Sequence, residues 1–306
     1  MTVTIRRIVC ATDLSPASEV AWQEAQLLAG LLKAEILLLH VVPTLPLPTE
    51  GYLPPDLYQD VIEAGHRDAH EALDRMVASA AAPTIRVTLR LEQGAAAPRI
   101  LAVAESEAAD LIVVGTHGRT GFRRVLLGSV ADRVVRSALC PVVTTRTLVT
   151  GPARLRRIAY ATDFSPAAGA AWAYVAALAD AAGAEVDLIH VTPLPVPDRH
   201  LDPAALARMA RLLHDQGRAE VEQFLEGHPL PGGRVRPAIV SGVAAEQIAH
   251  WAQTRAADLI VMGTHGWSGL VRWMLGSVAH HLVQVAPCPV LTVSPQGGDH
   301  GGHHAR

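Results

Sequence analysis

The sequence predicts an α/β protein of two tandem domains, each an open parallel sheet with helices on both faces. Three observations carry this. Short apolar runs alternate with stretches of helical spacing, the pattern of a parallel sheet crossed by helices. The whole pattern occurs twice in 306 residues, a length that suits two domains. In each copy the fourth apolar run ends in the same glycine arrangement. The first is Gly115-Thr116-His117-Gly118, nine residues, then Gly128-Ser129; the second is Gly263-Thr264-His265-Gly266, nine residues, then Gly276-Ser277. A strand that ends in glycines and leads into a helix start is a place to hold a phosphate.

In the first copy, Ile5 to Ala11 is an apolar run read as the first strand, with Asp13 at its carboxyl end. Ser15 suits a helix N-cap and Pro16 the first helical position, and apolar residues continue to about Leu32. Asp13 has two readings, a cap for this helix or a ligand contact. Glu35 to Val42 reads as a strand buried on both faces. The proline-rich stretch from Pro43 to Pro55 is irregular. Asp56 to Ala80 has helical spacing, and Thr84 to Leu91 alternates as a third strand. Ala95 to Ser106 is a helix, Asp110 to Gly115 a fourth strand, Ser129 to Ser137 a helix and Pro141 to Thr145 a short fifth strand. Ligands of such sheets bind outside the carboxyl ends of the strands, where strand order reverses. If the first and fourth strands are neighbours there, Asp13 and Gly115 face one crevice.

The second copy repeats the first. Arg6 to Pro16 matches Arg156 to Pro166 at most positions, Trp22 matches Trp172, and His40-Val41 matches His190-Val191. Cys140-Pro141-Val142-Val143 returns as Cys288-Pro289-Val290-Leu291. The period is domain-sized, far longer than a solenoid repeat. The expected domains are 1–147 and 153–295, followed by a His- and Gly-rich tail at 296–306. His300, His303 and His304 are metal-ligand types without a scaffold to fix them, and no metal site is read there.

Half of the residues are hydrophobic and 18% are charged, a core-forming composition. The formal net charge of −3 argues against a nucleic-acid partner, which calls for a basic face. Lys33 is the only lysine, and no G-x4-G-K-[ST] run exists. A kinase or P-loop ATPase needs a lysine beside the phosphates, so both are excluded. Neither a G-x-G-x-x-G after the first strand nor a G-x-S-x-G elbow is present. Cys10, Cys140 and Cys288 sit in strand-like apolar runs and read as small buried hydrophobes in a reducing compartment. No signal-peptide layout opens the chain, and no apolar run reaches the roughly 18 residues that span a bilayer. The expectation is a soluble cytoplasmic protein without a membrane partner. His40 and His190 read as satisfied core histidines. His117 and His265, inside the motif, either touch phosphate or shape the loop. Trp22 and Trp172 read as core.

Thr12-Asp13 after the first strand, His40-Val41 at the end of the second and G-x2-G-x9-G-S after the fourth together resemble the ATP-binding branch of the universal stress protein family, in its tandem-domain form. The resemblance covers nearly the whole chain, twice. It implies a Rossmann-like, adenine nucleotide alpha hydrolase-like sheet with strand order 3-2-1-4-5. It implies an adenine nucleotide as ligand: ATP, with or without Mg²⁺, and ADP or AMP as alternatives. Residue by residue, it implies that Asp13 accepts hydrogen bonds from the ribose and that Val41 offers backbone groups to the adenine edge. Gly115 and Gly118 would admit the ribose and phosphates where a Cβ would collide. Gly128, Ser129 and Val130 would turn N–H groups and a hydroxyl toward phosphate oxygens. Asp163, Val191, Gly263, Gly266, Gly276, Ser277 and Val278 would repeat these roles at a second site. Arg119, Arg123 and Arg124 in the first copy, against Arg272 in the second, have two readings: tighter phosphate binding at the first site, or arginines that are solvated or paired with nearby acids. The short last strands leave edges to cover, so an internal pseudo-dimer of the two domains is expected, and a further homodimer is admitted. The implied function is that of a stress-response sensor or regulator. The alternatives are a slow ATP hydrolase, with at most weak activity, and a scaffold working through its surfaces.

Overall fold

The computed structural model describes residues 3–44, 55–78, 85–116, 127–146, 154–194, 202–230, 234–264, 266 and 275–294, with backbone only at 55–58. The chain divides into two compact units that correspond closely to its two halves.

In the first unit the strands are β1 (Arg7–Thr12), β2 (Glu35–Val42), β3 (Val87–Gln93), β4 (Leu111–Gly115) and β5 (Val142–Thr145). They lie parallel in the order β3-β2-β1-β4-β5. The helices between them are α1 (Pro16–Leu32), α2 (Pro55–Ala78), α3 (Ala96–Ser106) and α4 (Ser129–Ser137). The second unit repeats this with β6 (Arg157–Ala161), β7 (Glu185–Thr192), β8 (Val235–Ser241), β9 (Leu259–Gly263) and β10 (Val290–Val293), in the order β8-β7-β6-β9-β10. Its helices are α5 (Pro166–Ala182), α6 (Pro203–Gly227), α7 (Ala244–Thr254) and α8 (Ser277–Val285). The expected α/β class and strand order are those observed.

Ile8, Val9 and Cys10 of β1 have no solvent exposure, because helices cover both faces of a doubly wound sheet. Right-handed crossovers put α1 and α2 on one face and α3 and α4 on the other. α1 packs on β1 and β4, and α3 on β2 and α4. Trp22, fully buried on α1, donates its indole N–H to the Met76 carbonyl of α2 at 3.1 Å. Both tryptophans are core residues, Trp172 being 5% exposed.

β3 begins and ends later than the sequence pattern suggests. It follows β2 in register from Ile36↔Val87 to Val42↔Gln93, so its partner's length sets its bounds. Its polar Glu92 and Gln93 are tolerated because an edge strand is half exposed. Cys10 lies in β1, whereas Cys140 and Cys288 stand just ahead of β5 and β10, separated from them by Pro141 and Pro289, which bring no N–H to a ladder. All three are buried and none is in a disulfide. Burial pushes the Cys10 thiol well above its ordinary value, which keeps it protonated and inert.

At the amino ends of the strands, Arg7 pairs with Glu35 at 2.6 Å and Glu107 at 3.2 Å. In the second unit Arg157 keeps the partner Glu185 at 2.9 Å, but Arg255 replaces the second acid. Its Nε lies 3.4 Å from Asp187, a carboxylate only 1% exposed where the first unit has Leu37. Among the described residues, no helix is long and apolar enough to cross a membrane.

Candidate functional site

The chain moves from β1 to β2 and β3 on one side, then returns to β4 and β5 on the other. Strand order therefore reverses between β1 and β4, which pair from Ile8↔Leu111 to Ala11↔Val114. The carboxyl ends there are Thr12-Asp13 and Gly115, the meeting that the sequence requires.

Side chains fix the turn after β1. Thr12 Oγ1 accepts from the Leu14 N–H at 3.0 Å, and Asp13 Oδ1 accepts from the Ser15 N–H at 3.1 Å and the Ser15 hydroxyl at 2.6 Å. Ser15 is the N-cap of α1, accepting from the Ser18 N–H at 3.3 Å. The second unit repeats the turn: Thr162 Oγ1 accepts from Phe164 N–H and Asp163 Oδ1 from Ser165 N–H, both at 3.0 Å. Leu14 and Phe164 are held at φ 61° and 58°, a left-handed conformation uncommon outside glycine. The same left-handed residue follows the aspartate in both units and fixes the path of the turn. Ser15, not Asp13, caps the helix. One carboxylate oxygen holds the turn and the residue still lines the cleft.

Val41 is placed by ladder alternation. In a parallel strand successive residues bond to opposite neighbours. Glu35 N–H donates to Arg6 of the β1 side, and Ile36 N–H to Arg86 of the β3 side. Odd positions of β2 thus face β1, and even positions face β3, where Val42 C=O receives Gly94 N–H. Val41 is odd, but the β1 ladder stops at Thr12↔His40. Its N–H closes that last rung on the Thr12 carbonyl, and its C=O turns toward the space beyond Thr12. Val191 stands at the same place after Ile189, whose carbonyl accepts from Thr162 N–H. His40 Nδ1 donates to the Thr12 carbonyl at 2.8 Å, and His190 to that of Thr162 at 3.0 Å. Both are satisfied histidines that tie the two strand ends together.

The third wall is the start of α4. Gly128, its N-cap, has no side chain, and no side-chain cap bond is made there; Gly276 does the same for α8. A helix start without a side-chain cap presents N–H groups and the positive end of the dipole to an anion. One expected donor is withdrawn: Gly128 N–H bonds the Thr116 carbonyl at 2.8 Å, and Gly276 N–H that of Thr264 at 2.8 Å. These bonds close the base of the motif loop. The N–H groups of Ser129 and Val130 remain at the helix start to face the cleft.

The glycines also serve the fold in a way the sequence does not reveal. A Cβ on Gly263 would stand 2.8 Å from backbone atoms of Ala167 and Ala168 at the start of α5, and one on Gly128 would stand 2.8 Å from the Thr116 carbonyl. The collision at these two positions is with the protein's own backbone, not only with a ligand. On Gly266 it would meet Asp163 Oδ2 at 2.6 Å.

These parts line one cleft per unit, each of about 220 Å³. The first brings together Asp13, Val41, Gly115, Gly128, Ser129 and Val130. The second brings together Asp163, Val191, Gly263, Gly266, Gly276, Ser277 and Val278. Gly118, His117, His265, Arg119, Arg123, Arg124 and Arg272 lie outside the described residues. Ala96 and Ile100 of α3, and Ala244 and Ile248 of α7, complete the apolar walls and were not anticipated. Their signal is an Ala and an Ile one helical turn apart, repeated at the offset that relates Gly115 to Gly263. Met262 lines the second cleft where Val114 lines the first. Among the described lining residues the only ionisable side chains are Asp13 and Asp163.

Comparison with known proteins agrees with this architecture. The model of the universal stress protein family matches residues 4–146 and again 154–294. A universal stress protein of Methanocaldococcus jannaschii is 35% identical over 144 residues, 46% of this chain and 82% of that protein. One from Mycolicibacterium smegmatis is 27% identical over 300 residues, 94% of this chain and 97% of its own length. The crystal structure of a universal stress protein from Archaeoglobus fulgidus shares the fold, with a TM-score of 0.65 at 21% identity over 95% of this chain and 97% of that one. The chain belongs to the universal stress protein family, with two of the family's domains in tandem.

Proposed function

We propose that each cleft binds one adenine nucleotide, ATP first among them, and that the chain acts as a nucleotide-responsive sensor or regulator in the stress response. The observation that carries this is the convergence, in both units, of three recognition surfaces on one cleft. The Val41 C=O, beyond the last rung of the β1 ladder, is an acceptor suited to the amino group on the adenine edge. The Asp13 carboxylate accepts from ribose hydroxyls. The start of α4, with its Ser129 hydroxyl, meets phosphate oxygens. Apolar Leu39, Ala96 and Ile100 supply walls for the base. Mg²⁺, where present, would accompany the phosphates beyond Ser129. A cytoplasmic setting, with its nucleotide pool, belongs to this reading.

Binding is favoured over fast turnover by the chemistry of the walls. The ionisable group of each described lining sits on the ribose side and is already engaged in its turn, so it is not a base aimed at the phosphates. Native mass spectrometry of the purified chain tests the reading. Up to two adenine-nucleotide adducts per chain, with a rise in melting temperature on adding ATP, are expected. A chain that carries none and shows no thermal response to ATP, ADP or AMP would favour the scaffold alternative. ATP turnover near 1 per second, in the lower range of enzymes, would overturn the binding-module reading.

A further inference from the structure

α2 and α6 occupy equivalent places: α2 packs on β2 and β3, α6 on β7 and β8. Their buried positions fix the alignment between them. Ala69 and Leu73 of α2 are buried, and so are Gly217 and Val221 of α6, at the offset that relates Gly115 to Gly263. Over residues 60–67 and 208–215 of the outer faces the same offset exposes a reversal of charge, which ends before Asp74 and Glu222, both acidic. Asp60 and Glu63 correspond to Arg208 and Arg211, and Arg67 corresponds to Asp215; all six are exposed. Apolar residues are exposed between them at matching positions: Val61 is 46% exposed against 51% for Met209, and Ala64 answers Leu212, 69% exposed. Among the described residues, Asp60, Glu63, Arg208 and Arg211 make no ion pair.

Duplicated helices on a merely solvated surface have no reason to keep the same apolar positions while inverting the charges beside them. Two surfaces that face each other do. Set side by side in parallel and in register over these two turns, and diverging before the two acids Asp74 and Glu222, the helices place Asp60 by Arg208, Glu63 by Arg211 and Arg67 by Asp215, with Val61 and Ala64 against Met209 and Leu212. We propose that α2 of one chain docks on α6 of a second copy of this chain, the outer faces of these helices forming a self-association surface. Used twice about a two-fold axis the contact closes a dimer, and used once per neighbour it propagates head to tail. The patch on each helix is small, so the association is weak and steered by charge.

Light scattering and sedimentation of the full chain across concentration and salt test this. The wild type is expected to self-associate reversibly, and less so in high salt as screening weakens the pairs. Arg208→Glu/Arg211→Glu makes both faces acidic and Asp60→Arg/Glu63→Arg makes both basic. Each variant alone is expected to associate at least about tenfold more weakly, since like charges oppose. An equimolar mixture of the two is expected to recover association, as is the chain carrying all four changes. Circular dichroism checks that each variant is folded, and Leu212→Glu is a second disrupting variant. A wild type that stays monomeric at all concentrations overturns the proposal, and so does a mixture no more associated than its components.

Discussion

Gly266 rests against the carboxylate of Asp163: a Cβ there would lie 2.6 Å from Oδ2. The motif glycine and the aspartate of the β6 turn are thus two halves of one surface, although a hundred residues of sequence lie between them. Gly263, three residues earlier, touches something else, the backbone of Ala167 and Ala168 at 2.8 Å.

The two glycines should therefore fail differently. Gly263→Ala forces β9 and α5 apart and should cost about 2 kcal/mol, in the range of overpacking. Gly266→Ala meets only a side-chain end. It should cost less stability and weaken ATP at the second cleft about tenfold, near 1.4 kcal/mol. Calorimetric unfolding and nucleotide titration of both variants separate the effects. Equal loss of stability in the two would contradict the distinction.

The Asp187–Arg255 contact replaces a different solution in the first unit, Leu37 with Glu107 paired to Arg7. Asp187→Leu alone leaves Arg255 and Arg236 without their carboxylate; both arginines reach solvent, so the loss should be about 1 kcal/mol. Asp187→Leu with Arg255→Glu restores the Leu37 and Glu107 positions beside Arg157, though not the Arg90 partner of Glu107, and should recover most of that loss. Chemical denaturation of the single and double variants reads the difference. A double variant no more stable than Asp187→Leu would show that the two networks are not interchangeable.

Lys33 ends α1 at φ 55°, where Gly183 ends α5 at φ 64°. A left-handed lysine costs roughly 1–2 kcal/mol, part of which glycine's unfolded-state freedom offsets. Lys33→Gly should therefore stabilise the first unit by about 0.5–1 kcal/mol and raise its melting temperature by a few degrees. Thermal unfolding checks it, and a fall would mean that the lysine side chain contributes more than its backbone costs.

What the sequence discloses follows from how local each signal is. β2 is legible to the residue because an apolar run buried on both faces has sharp ends, and α1 because Ser15-Pro16 writes its own start. The clefts are legible through repetition, which lifts Asp13, Val41 and the glycine run above chance. Ala96 and Ile100 stay hidden because a small or apolar residue lining a cleft looks like any core residue. The reason for Gly263 stays hidden because its neighbour Ala167 is distant in sequence. Asp187 reads as an anomaly in an apolar strand until Arg255 is seen beside it. The expected asymmetry in phosphate binding rests on arginines outside the described residues, and the described walls of the two clefts differ by Ala168 for Ser18, Ile189 for Leu39 and Met262 for Val114.

The most direct test is isothermal titration of ATP into the nucleotide-free full chain, beside Asp13→Asn, Asp163→Asn and the double variant. Asparagine keeps an acceptor for the Ser15 or Ser165 N–H while removing the charge proposed to meet the ribose, so the turn survives. The account predicts two equivalents bound by the wild type. In each single variant one site should weaken by about tenfold or more, the scale of a hydrogen bond to a charged group, and in the double variant both should. No binding by the wild type, or binding that none of the three variants alters, would contradict it.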